Sequence, residues 1–165
     1  ELPGQHLFQY LDETGAVCSL SSTQVNDYLR TVTGCDFTAK DFRTWGGTVM
    51  AARLLYTTAP GENQKEKEQR IVQVIKCVAE KLGNTPAVCR QHYVHPAILA
   101  AYSKGQLTAV YEKIGKGKQP ISSALTEDEA AEDEAVVLAL LQSQTLLDDQ
   151  TDQATSNPST HNRGG

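Results

Sequence analysis

Thr38-Ala39-Lys40-Asp41-Phe42-Arg43-Thr44-Trp45-Gly46-Gly47-Thr48-Val49, continuing to Tyr56, is the stretch that decides the fold class. A threonine followed three residues later by a carboxylate marks a helix start, because such side chains satisfy the backbone N–H groups a first turn leaves open. Asp41 falls at the third helical position, and Phe42, Trp45, Val49, Ala52 and Tyr56 recur at three- and four-residue steps, the spacing of one helix face. Arg43 lies on a face adjacent to that stripe, near Lys40. The pair Gly46-Gly47 costs a helix on the order of 1 kcal/mol per glycine, which hints equally at close backbone approach and at a tolerated weakness.

Upstream, a short apolar run from Leu7 to Leu11 precedes a turn-like Asp12-Glu13-Thr14-Gly15. Ser21 and Ser22 can cap a helix with apolar positions Val25, Tyr28, Leu29 and Val32, ending before Gly34. Downstream, Pro60-Gly61 breaks the chain, and the charged run 62–70 leads into Ile71, Val74, Ile75, Val78 and Leu82, closed by Gly83. Pro86 opens a short helix carrying Val88, Cys89 and Tyr93, and Pro96 opens another through Ile98, Leu99 and Tyr102 to Gly105. Lys113 to Pro120 reads as a linker. Thr126 and Glu129 then form a capping pattern before the apolar run 136–141. From Asp148 the composition is too polar to build a core and reads as disordered.

The net charge of −5 is unevenly spread: residues 1–120 carry 14 Lys and Arg against 11 Asp and Glu, and residues 121–165 carry 1 against 9. The front can approach a polyanion; the acidic back cannot. Cys18, Cys35, Cys77 and Cys89 form no CxxC pair, so neither a zinc site nor a disulfide framework is indicated and reduced thiols are expected. No segment approaches the roughly 20 apolar residues of a membrane span, and no secretory signal is visible.

The chemistry-bearing residues are Arg43 beside Lys40, the turn Gly83-Asn84-Thr85-Pro86, and Arg90 one helical turn before Tyr93. A guanidinium matches two phosphate oxygens, and a tyrosine hydroxyl is a usable nucleophile when such donors draw charge from phosphorus, so the set suits phosphoryl transfer. Two stretches carry a resemblance: Asp36 to Thr48, and Leu82-Gly83-Asn84-Thr85-Pro86-Ala87-Val88-Cys89-Arg90-Gln91-His92-Tyr93. Both resemble the bacterial, poxvirus-like type IB DNA topoisomerases, and Leu2 to Asp12 and Asp27-Tyr28-Leu29 extend the likeness over roughly residues 2–105.

The resemblance implies a mainly α fold, the helical C-terminal part of a DNA breaking–rejoining catalytic domain of the kind type IB topoisomerases share with tyrosine recombinases. It makes Tyr93 the nucleophile that forms a 3′-phosphotyrosyl link and Arg43 the contact to the nonbridging oxygens. Asn84 stands where many of these enzymes carry histidine, and still supplies a neutral donor. Lys40 is assigned to support the site or contact the DNA backbone; Arg90 either touches DNA or neutralises a helix face. No metal and no cofactor is implied, and the partner is duplex DNA, bound by a monomer in the cytoplasm at the nucleoid.

The family also uses another arginine and a general-acid lysine placed before the K-x-x-R helix. Before Lys40 this chain has only Arg30, within a predicted helix. The expectation is therefore a fragment or truncated reading frame, with residues 1–119 a partial catalytic domain, 120–147 an acidic helix and 148–165 a disordered tail, weakly active or inactive alone. Two rivals stand beside it, a tyrosine recombinase or integrase domain and a non-enzymatic DNA-binding remnant. His92 and His95 lack a third ligand and are not assigned to metal. Trp45 is expected in the core, with a buttress for Arg43 as its second reading. The acidic group Glu127, Asp128, Glu129, Glu132, Asp133 and Glu134 is expected to be a solvated helix start, with a DNA-mimicking surface as the alternative.

Overall fold

The computed structural model describes residues 8–58, 61–114 and 130–143, and these are mainly helical. Two compact units divide between Thr44 and Trp45. The expected tail from Asp148 and the capping pair Thr126 and Glu129 lie outside the described residues.

In the first unit, β1 (Gln9–Leu11) pairs antiparallel with β2 (Val17–Ser19), Tyr10 opposite Cys18. Asp12 builds the turn between them: its Oδ1 accepts the Thr14 N–H at 2.9 Å, the Thr14 hydroxyl at 2.7 Å and the Ala16 N–H at 2.9 Å. These bonds, the Thr14 hydroxyl foremost, hold the Asp12 carboxyl below the usual carboxylate range. Because the folded value is the lower one, the turn's support is present above the unfolded value and is lost as pH falls through the folded one. Acidification below about pH 4 should therefore shift the Thr14 and Ala16 amide signals in an NMR titration, a step absent from Asp12→Ala.

Helix α1 (Ser22–Thr33) starts at a capping box in which Ser21 and Gln24 satisfy each other's backbone, and ends at Gly34. The helix forms where its periodicity places it, yet none of its residues is buried; Tyr28 and Val32 are 67% and 65% exposed. A unit this small has too little surface to cover an apolar stripe. Helix α2 (Ala39–Thr57) begins as expected, with the Thr38 N–H and hydroxyl both donated to Asp41 Oδ2. Phe42, expected on the core stripe, is half exposed and meets Phe37 edge-on at 6.2 Å.

The second unit holds the core. Helix α3 (Gln64–Leu82) is capped by Asn63 and packs against α4 (Pro86–His92) and α5 (Pro96–Ser103); α5 packs on α6 (Gln106–Ile114). Gly83 takes φ 65° to turn the chain out of α3, which lets its own N–H and that of Asn84 reach back to the Ala79 carbonyl, a geometry an L side chain resists. Leu55, Ile75, Val78, Ile98 and Leu107 sit at the centre, joined by Val136, Val137 and Leu140.

Two expectations are corrected here. Lys113 and Ile114, read as linker, close α6, whose Leu107 and Tyr111 are buried. Residues 130–143 are helical (α7), but Asp133 is not a solvated acid: it is 3% exposed, paired with Arg53 at 2.9 Å and bonded by the Tyr111 hydroxyl at 2.9 Å. The partners lie 80 and 22 residues away, so local charge density carries no sign of them.

Candidate active site

Tyr93 closes α4. Thr85 caps the helix through a hydroxyl that accepts the Val88 N–H, and Pro86 follows at the first turn, where its missing N–H costs nothing. After one more turn Tyr93 leaves the helical basin at φ −124° and ψ −7°, its N–H still bonded to the Cys89 carbonyl at 2.9 Å. It is thus the helix's C-cap rather than a residue within it. Its side chain is half-buried and packs against the core, and Val94 beside it is 3% exposed. His95 begins α5 by accepting the Ala97 N–H on Nδ1 at 3.2 Å.

Helix α2 comes close to this turn. A Cβ on Gly47 would meet the Tyr93 carbonyl oxygen at 2.6 Å and Leu82 Cδ1 at 3.1 Å, so the glycine is required by close approach; Gly46 has open space and is merely tolerated. Thr48, 2% exposed, donates its hydroxyl to the Tyr93 carbonyl at 3.4 Å and accepts the His95 N–H at 3.1 Å. Trp45 is half-buried against the core, and its indole N–H donates to Glu134 Oε1 at 3.1 Å. Thr48 had no role in the sequence reading; the Gly46-Gly47 pair beside it was the available signal.

Asn84 stands one residue before the cap of α4. It is half-buried and donates its amide to the Leu82 carbonyl at 3.2 Å, leaving Thr85 to cap. Asn84 and Tyr93 lie beyond opposite ends of α4, a seven-residue helix about 10 Å long at 1.5 Å per residue. Arg90 is exposed in the last turn of α4, one turn before Tyr93. In the first unit, Lys40 and Arg43 are exposed in the opening turns of α2. All four cysteines are free, and Cys89 is fully buried, its thiol pushed up by that burial. Among the described residues no group of three or more His, Cys, Asp and Glu side chains is placed to hold a metal, and no helix is long and apolar enough to cross a membrane.

Residues 1–121 match the family described as the catalytic core of eukaryotic DNA topoisomerase I, and the chain belongs to that family. The DNA topoisomerase 1B of Acanthamoeba polyphaga mimivirus is 31% identical over 109 residues, covering 62% of this chain and 32% of the viral protein. The chain spans about a third of the length of that curated relative. Helix α7 lies beyond the matched residues, although its apolar face completes the core.

Proposed function

We propose that this chain carries the nucleophile end of a type IB topoisomerase reaction, in the bacterial, poxvirus-like branch, as the C-terminal part of a catalytic domain acting as a monomer on duplex DNA. Tyr93 Oη, giving up its phenolic proton to water, attacks a backbone phosphorus and forms a phosphorus–oxygen bond on the 3′ side as the bond to O5′ breaks. The departing O5′ takes a proton and leaves as a hydroxyl. The same hydroxyl later attacks the phosphotyrosine, releasing Tyr93 and resealing the strand, and rotation between the two steps relaxes supercoils. Bond energy is kept in the phosphotyrosine, so the cycle calls for neither ATP nor a metal.

The observation that supports this most is the anchoring of Tyr93: a half-buried tyrosine at a cap, its main chain seated on α2. Arg43 is assigned to the nonbridging oxygens, where negative charge builds in the transition state. It stands four residues before Gly47 on α2. Asn84 is assigned as a further neutral donor to the phosphate, and Lys40 and Arg90 as contacts to the DNA backbone, which carry affinity without sequence preference.

The test is denaturing-gel detection of a covalent protein–DNA adduct on a nicked suicide duplex, in chelator and without ATP. Any adduct the chain forms should vanish in Tyr93→Phe; an adduct that persists there, or one that needs a divalent ion, would sink the proposal. Arg43→Ala should slow adduct formation by about 10²–10³, the cost of one transition-state donor, and Arg43→Lys should not restore it because an ammonium lacks the planar fork. Joining of strands from two different duplexes would favour the recombinase reading instead.

A further inference from the structure

We infer that Thr48 is a positioning residue for Tyr93, holding the nucleophile's turn in register against α2; this rests on the reading of Tyr93 as nucleophile. Only Tyr93, Val94 and His95 separate two short helices, each opened by a proline, and Tyr93 sits outside the helical basin. One hydroxyl spans that turn, donating to the carbonyl of Tyr93 and accepting the N–H of His95. The donated bond at 3.4 Å is long and the accepted one at 3.1 Å ordinary, so the His95 amide is the firmer grip. Val94 is driven into the core between them, and the absent side chain at Gly47 lets the helix backbone come near enough for both bonds.

The consequence is catalytic rather than merely structural, because the phenol hangs from the backbone that Thr48 holds. In-line attack needs the hydroxyl oxygen within about 0.5 Å and 10–20° of its productive place. A displacement of about 1 Å can cost on the order of 10²-fold in rate while leaving affinity for DNA untouched. DNA binding depends on charges elsewhere on the surface, so a positioning residue should separate the two quantities.

The experiment compares the chain with Thr48→Val, which keeps shape and loses the hydroxyl, and Thr48→Ser, which keeps the hydroxyl. Three quantities are read: the single-turnover rate of adduct formation at saturating suicide duplex with a 5′-sulfur leaving group, the Kd for that duplex, and exchange of the His95 amide by NMR. Thr48→Val should slow the rate by about 10–10²-fold at unchanged Kd and speed His95 exchange, and Thr48→Ser should return both toward the parent. A Tyr93-dependent parent reaction that Thr48→Val leaves at full rate overturns the inference and spares the nucleophile. No Tyr93-dependent adduct from the parent overturns the nucleophile reading and the positioning role with it, recognisable because Thr48→Val would still loosen the His95 amide. If Thr48→Val does not fold, the parent decides alone: a His95 amide exchanging at the free-peptide rate removes the grip on which the inference stands.

Discussion

Asp133→Ala should destabilise the second unit by about 3–5 kcal/mol, read from the shift of its urea unfolding midpoint, because it removes the buried carboxylate that Arg53 and Tyr111 share. The Arg53 and Asp133 side chains are only 11% and 5% exposed, and the carboxylate is shared between the guanidinium and the Tyr111 hydroxyl. Tyr111 in turn stacks on Tyr56 at 4.0 Å with the rings 6° from parallel. Three helices, α2, α6 and α7, therefore meet at one carboxylate. Removing one partner differs from replacing the pair: Arg53→Met with Asp133→Leu should lie much closer to the parent than Asp133→Ala does, since both members of the buried ion pair are then replaced together by apolar side chains. Parent-like unfolding of Asp133→Ala would mean that α7 is not held here.

Alkali should probe the same cluster. Burial first, and then the Asp133 charge, push the Tyr111 hydroxyl well above the ordinary tyrosine value. Its folded value is the raised one, so its stabilisation is complete below the unfolded value of about 10 and is lost as pH climbs through the folded value.

A duplex whose scissile O5′ is replaced by sulfur should react with this chain about 10²–10⁴ times faster than the ordinary duplex, if the chain by itself supplies the nucleophile without a leaving-group acid. An alkoxide is a poor leaving group because its parent alcohol ionises only in strong alkali, whereas a thiol ionises at about 8.5 and departs without a proton donor. Arg30, the sole Lys or Arg ahead of Lys40, cannot take that part. Its Nε lies 2.6 Å from Asp36 Oδ1 and its Nη1 2.9 Å from Asp27 Oδ1, and Asp36 foremost raises its affinity for its proton further. Rates of Tyr93-dependent adduct formation would be compared in single turnover on the two duplexes. Equal rates would place a working acid among these residues and count against the assignment of that role to a residue outside them.

What sequence by itself determined is the set of helices and the residues that begin and end them. Ser21 with Gln24, Thr38 with Asp41, Thr85 with Pro86, Gly34 and Gly83 each act within four residues of chain, so their effects are written where they stand. Helix α6 was equally available, since Leu107, Val110, Tyr111 and Ile114 share one face; the lysines and glycines that follow drew Lys113 and Ile114 into a linker instead. The wording of the Tyr93 and Arg43 stretches pointed to type IB topoisomerases, and residues 1–121 match the catalytic-core family of eukaryotic DNA topoisomerase I.

Tertiary structure alone decided which faces are covered and which polar groups meet. Tyr28 and Phe42 have the spacing of core residues and remain exposed, while Asp133, in an acidic run, is buried. Whether an apolar stripe finds a partner, or a carboxylate finds Arg53 80 positions away, depends on how helices pack, and no local pattern encodes it. The grip of Thr48 on the Tyr93 turn is of that kind, joining residues 45 and 47 positions apart through one hydroxyl that short-range periodicity treats as an ordinary helical threonine.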